Sequence, residues 1–138
     1  MNLLYLGDNG AYLISFFIGI LLIDLSKNTG NLSPFYIVNL LWYPAYENLF
    51  SIIRKLKNKK SPLKPDNLHL HQLIYLLLKK KINIKPKIIN TVTGIIINLF
   101  NFFVFMIATQ YYLNTVLQVA ILLVSLIIYN LAYIVLKK

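Results

Sequence analysis

The chain has 138 residues, of which 58% are hydrophobic and only 13% charged, with a mean hydropathy of +0.65. A soluble domain averages about 25% charged residues, so a water-soluble globular protein is excluded for most of this length. Fourteen Lys and Arg against four acids give a net charge of +10, but no aromatic-interleaved basic surface or recognised nucleic-acid motif accompanies it, and nucleic acid is not an expected partner.

Cysteine is absent, which removes disulfides, thiolate nucleophiles and Cys-based zinc or iron-sulfur sites. The amino-terminal MNLLYLGDNG lacks the basic region and small-residue cleavage site of a secretory signal, so the apolar run after it is expected to be a retained span. A bilayer core requires roughly 20 mostly apolar residues. The first span is predicted over 9–25, ending in the connection SKNTGNLSP. The second is predicted over 34–53, with Pro34 suited to a first helical turn, Trp42 and several Tyr within it, and Glu47 as its one charge. It stops at Arg54.

Residues 54–87 form the only extended polar region, punctuated by Pro62, Pro65 and Pro86. Its 68–78 portion, which contains a short apolar run, is expected to be a short helix or an interfacial segment. No charge occurs over the 49 positions between Lys87 and Lys137, too many for one span. Tyr111, Tyr112 and Asn114 mark the bend, giving antiparallel spans at about 89–111 and 115–136. The expected fold is an all-α integral membrane protein of about four transmembrane helices, two hairpins joined by a basic loop, and a hydrophobic core closed without partners is not expected. Eleven cations fall in 54–87, two at Lys137 and Lys138, and one at Lys27. Four crossings place both termini and the 54–87 loop on one side, which the excess of Lys and Arg assigns to the cytoplasm.

Asp8, in Gly7-Asp8-Asn9-Gly10, could cap free N–H groups of the helix it opens or hold a divalent cation at the membrane surface. His69 and His71 converge in extended structure but point roughly 160° apart on a helix. A zinc reading fails on ligand count, because no Cys exists and most carboxylates are distant. Glu47 is an acid inside a predicted span, a functional candidate by default, and lies near the same helix face as Arg54, about two turns on. The alternative is that it pairs with a buried Lys or Arg and fixes helix packing. Asp24 and Lys27 end the first span at the opposite interface and are assigned no chemistry.

Taken in order, Gly-Asp-Asn-Gly opening a helix, Tyr-Pro-x-x-Glu seven residues before Arg54, and Ser-Pro-Leu-Lys-Pro-Asp-Asn-Leu-His-Leu-His-Gln resemble glycosyltransferase family 4. The family includes phospho-MurNAc-pentapeptide translocase and the polyprenyl-phosphate GlcNAc-1-phosphate transferases, the latter being the closer match. The resemblance implies transfer of a sugar 1-phosphate from a UDP-sugar to polyprenyl (undecaprenyl) phosphate, with release of UMP, at a bacterial inner membrane. It implies Mg2+, with Mn2+ as a substitute, held by Asp8, and a catalytic set of Asp8, His69 and His71. Arg54 and Lys55 match a basic pair suited to phosphate contacts, and Glu47, Asp66 and Asn67 complete the substrate-binding residues. Asn67 stands where an Arg is common, Gln72 replaces a final His, and Ser15 replaces a small helix Gly.

The adjacent-Asp motif and the Asn-rich loop that precede Gly-Asp-x-Gly in the family do not occur in these residues. The expectation is therefore the C-terminal portion of such a transferase, inactive by itself and completed by a separate N-terminal fragment or a second protomer. The rival expectation is a noncatalytic membrane interaction protein that retains part of the fold. A small transporter or channel subunit lined by Glu47 would leave the clustered motifs unexplained.

Overall fold

The computed structural model describes residues 7–62, 67–82 and 84–137, with only the backbone described for Asp8. Among these residues the chain is helical: α1 spans Gly7–Asn28, α2 Pro34–Lys57, α3 Leu70–Lys81, α4 Pro86–Gln110 and α5 Thr115–Lys137. It divides into two units, one holding α1 and the other running from Ser33 onward.

α1 begins at Gly7, whose φ of 63° is a left-handed conformation that glycine adopts without a side-chain clash. Its apolar side chains, among them Tyr12, Phe16 and Leu21, are exposed. Ser15 returns its hydroxyl to the Ala11 carbonyl at 2.8 Å. Lys27 lies in the last turn, where a cation complements the negative end of the helix dipole. The helix therefore continues three residues beyond the expected boundary.

In the second unit, α2 packs against α4 and α5, α4 against α5, and α3 against both α4 and α5. A series of side-chain bonds sets the α2–α5 register. Asn39 Nδ2 donates to Gln118 Oε1 at 2.7 Å and to the Gln118 carbonyl at 2.9 Å. Fifteen residues further along both helices, Arg54 Nη1 donates to the Tyr133 hydroxyl at 3.1 Å. The offset is 79 in both cases, and fifteen helical residues cover about 22 Å, so α2 runs parallel to α5 over that distance. α4 runs the opposite way: Tyr36 of α2 bonds Thr109 near its end, whereas Trp42 meets Phe100 a few turns earlier.

At the α4–α5 turn, Ser33 N–H donates to the Tyr112 carbonyl at 3.0 Å and Gln118 Nε2 to the Ala108 carbonyl at 2.6 Å. Asn114 caps α5, its Oδ1 accepting the Leu117 N–H at 3.1 Å, which agrees with a bend at 111–114.

Three helices, α1 from Asn9, α4 and α5, are long and apolar enough to cross a membrane among the described residues. α2 is not in this set. Its Asn39, Glu47, Ser51, Arg54 and Lys55 lower its apolarity, and all five are buried among the other helices. The helix also runs past the expected stop at 53 to Lys57, because Arg54, Lys55 and Lys57 suit its C-terminal dipole. Of the expected 54–87 loop, 70–81 is the helix α3. The core is small, with Trp42, Leu70, Leu73, Val104, Tyr129 and Tyr133 closing against one another. The outer faces of α4 and α5, including Phe103 and Ile127, are apolar and exposed, and hydroxyls such as Thr93, Thr109 and Ser125 bond carbonyls four residues back on their own helices, which satisfies them without water.

Candidate functional site

The segment entering α3 is held at two points by α2. Glu47, on the turn after Pro44, is 7% exposed, and its Oε1 accepts two hydrogen bonds at 3.0 Å each, from His69 Nδ1 and from the Leu70 backbone N–H. Leu70 is the first residue of α3, so the carboxylate satisfies one of the helix's free N–H groups and sits at the positive end of its dipole. An ionised carboxylate has no hydrogen to give, so in this bond His69 Nδ1 is the donor and Glu47 Oε1 the acceptor.

Two turns further along α2, Arg54 makes the second hold. Nη1 donates to the Leu68 carbonyl at 2.6 Å and to the Tyr133 hydroxyl, and Nη2 donates to Ser51 Oγ at 3.2 Å. The guanidinium also lies over the rings of Phe50 and Tyr133, 5.9 and 5.6 Å from their centroids. Lys55 reaches the Pro62 carbonyl at 3.0 Å. Arg54 and Lys55 are thus buried and hold backbone of the connecting segment, while seven-residue spacing puts Glu47 and Arg54 on one face, as the sequence implied.

His69 precedes α3 with extended backbone, φ −76° and ψ 150°, and Gln72 Oε1 accepts its N–H at 3.2 Å. His71 falls inside the first turn. This mixed geometry brings the two imidazoles into a stack with centroids 5.7 Å apart and planes 17° from parallel, neither the convergence of a strand nor the divergence of a continuous helix. His71 and Asn67 are exposed, and His69 is partly exposed.

The hydroxyls of Tyr43 and Tyr129 are directed at the Glu47 carboxylate, and both hydroxyls and Glu47 Oε2 are buried. Tyr129 and Tyr133 stack, and Tyr46 packs edge-on to Tyr129, so an aromatic wall backs the carboxylate. Tyr133 and Ser51 were not singled out from sequence; a Tyr near the cationic end of a predicted span was the only signal.

The structure therefore brings together Glu47, Arg54, His69 and His71, while Lys55 reaches the Pro62 carbonyl and Asn67 is exposed. Asp66 lies outside the described residues. Asp8 belongs to the unit of α1, and its side chain is not described. Among the described residues no group of three or more His, Cys, Asp or Glu gathers to hold a metal. One carboxylate committed to an imidazole and an amide does not supply the oxygen-rich set that Mg2+ takes.

Comparison with protein families, curated proteins and solved structures returns no match to this chain.

Proposed function

We propose that this chain is part of a polyprenyl-phosphate sugar-1-phosphate transferase of glycosyltransferase family 4. In the reaction, a phosphate oxygen of polyprenyl phosphate attacks the phosphorus bearing the sugar of a UDP-sugar. The new P–O bond forms as the bond to the bridging oxygen of UMP breaks, so the products are a lipid-linked diphosphate sugar and UMP. His69 and His71 are the residues we assign to the developing charge, His71 as an N–H donor and His69 through its second ring N–H when its ring is protonated. Magnesium belongs to this reading through Asp8 and through carboxylates beyond those described.

The observation that carries the proposal is the two-point hold of 68–70 by Glu47 and Arg54. A carboxylate fixes the tautomer and direction of one imidazole, a guanidinium fixes the backbone just before it, and the second imidazole stacks on the first; this is the way a preorganised anion site is built. In this reading Glu47 and Arg54 are positioning residues rather than phosphate contacts.

The membrane arrangement in the proposal has four crossings, because α2 matches α5 end to end over about 22 Å and its Asn39, Glu47, Ser51, Arg54 and Lys55 are buried within the protein instead of facing lipid. The 54–87 region then lies at one face, which its cations assign to the cytoplasm of a bacterial plasma membrane.

The test is transfer of radiolabelled sugar 1-phosphate from UDP-GlcNAc or UDP-GalNAc to polyprenyl phosphate in membranes. The chain is assayed alone and together with a polypeptide carrying the family's acidic motifs. The expected result is transfer with both, lost on Asp8→Asn and reduced about 10²- to 10³-fold on His69→Ala. Absence of a lipid-linked product in every combination would favour the noncatalytic membrane protein instead.

A further inference from the structure

A second feature is independent of the histidine site. Between the last turn of α3 and the first turn of α4, Lys79, Lys80, Lys81, Lys85 and Lys87 crowd into nine positions, all exposed. No Asp or Glu follows Asp66 anywhere in the sequence, Glu47 is committed to His69 and Leu70, and among the described residues no acid pairs with these lysines. The first turn of α4 contains no acid either, so Lys85 and Lys87 add to the positive end of that helix dipole instead of being offset by a neighbour.

The lysines alternate with apolar side chains that the fold leaves outside. α3 turns Leu70 and Leu73 inward, 6% exposed each, while Leu76, Ile82, Ile84 and Ile88 are between 39% and 52% exposed. A solvated loop has no reason to keep four large aliphatics uncovered beside five uncompensated cations. The pairing suits the boundary of a bilayer, where aliphatic side chains enter the acyl region and long lysine stems carry their ammonium groups to the headgroups. The position agrees, since α4 is long and apolar enough to cross a membrane and starts at Pro86, which puts its first turn at the boundary.

We infer that the exposed residues of 76–82 and 84–88 form a docking surface for the headgroups of anionic phospholipids, with Lys79, Lys80, Lys81, Lys85 and Lys87 as the contacts and Leu76, Ile82, Ile84 and Ile88 as the inserted apolar residues. Because α3 begins at Leu70, directly after His69, the surface also anchors the far end of the helix whose near end Glu47 holds.

The absence of cysteine allows one reporter to be placed without background labelling. Ile84→Cys, labelled with an environment-sensitive fluorophore, is reconstituted into vesicles of mixed phosphatidylcholine and phosphatidylglycerol, with either lipid brominated at the same bulk fraction. The surface predicts that brominated phosphatidylglycerol quenches more strongly than brominated phosphatidylcholine. It also predicts that this preference declines about fivefold for each lysine neutralised, in the series Lys79→Gln, Lys80→Gln, Lys81→Gln, and declines with added salt. These lysines are exposed, so the variants are expected to fold; unchanged thermal unfolding verifies it. Equal quenching by the two lipids overturns the inference, as does quenching by aqueous iodide with none by either brominated lipid. A preference abolished by inorganic phosphate at constant ionic strength would also overturn it, by assigning the lysines to a soluble anion. None of these readouts depends on sugar transfer, so this surface and the transferase reading fail separately.

Discussion

Glu47 accepts two bonds through one oxygen, so truncating it does more than remove a charge. In Glu47→Ala, His69 Nδ1–H and the Leu70 N–H lose their acceptor, and an unsatisfied buried donor costs about 1–3 kcal/mol. Thermal unfolding of the purified protein in a fixed detergent is expected to show a loss of about 2–4 kcal/mol. Glu47→Gln keeps an amide oxygen at the same reach and should recover more than half of it. A Gln variant as unstable as the Ala variant would place the effect in the charge and not in the acceptor. Arg54 gives a different case, because its planar fork meets Leu68, Tyr133 and Ser51 at once while lying over two rings. Arg54→Lys should cost about 1–3 kcal/mol, since an ammonium cannot reproduce that spread. Part of the cost should disappear in a Tyr133→Phe background, and strict additivity in the double-mutant cycle would show that the hydroxyl is not a shared partner.

At the level of elements, the buried amides of Asn39 and Gln118 set how α2 lies on α5 and on the end of α4. Asn39→Leu is expected to lose about 0.5–2 kcal/mol, the range for polar contacts between membrane helices. Gln118→Leu should lose more, because it also leaves the Ala108 carbonyl without its donor. Denaturant unfolding of both single variants and the double variant measures the coupling, and a double variant equal to the sum would mean that the two amides do not act as a unit. The positions of the helices were legible in the sequence through the length of apolar runs, through Pro34 and Pro86 at helix starts, and through Asn114 at the bend. The pairing of α2 with α5 was not, because an offset of 79 depends on the course of all the chain between the two helices, α3 and α4 included, and nothing local encodes that. The same holds for the site. The spacing of Glu47 and Arg54 gave a common face, but their partners at 68–70 are reached only in the folded chain. His69 and His71 were ambiguous because a helix begins between them, so neither a pure strand nor a pure helix rule applied.

For the whole molecule, the parallel course of α2 and α5 makes a statement about the membrane that hydropathy alone does not. By composition α2 falls short of a span, and a helix with this many polar groups could instead lie along the surface. Asn39, Glu47, Ser51, Arg54 and Lys55 are buried within the protein, which hides them from lipid as protein burial permits within a bilayer, while Asn48 is exposed. The residue before α2 is tied to the α4–α5 turn, where Ser33 meets Tyr112, and the last turn of α2 is tied beside the end of α5, where Arg54 meets Tyr133. If α5 crosses, α2 crosses with it. Single cysteines at exposed positions test this directly in a chain that has none. Leu113→Cys, in the α4–α5 turn, is expected to react with a membrane-impermeant maleimide added outside intact bacterial cells. Lys60→Cys and Lys85→Cys are expected to react only after the cells are opened, because the proposed arrangement puts that side in the cytoplasm. Labelling of Leu113→Cys and Lys60→Cys from the same side would put α2 along the surface. Labelling of Lys60→Cys and Lys85→Cys outside and Leu113→Cys inside would keep the crossing but reverse its direction, which would move the histidine site away from the compartment that holds nucleotide sugars.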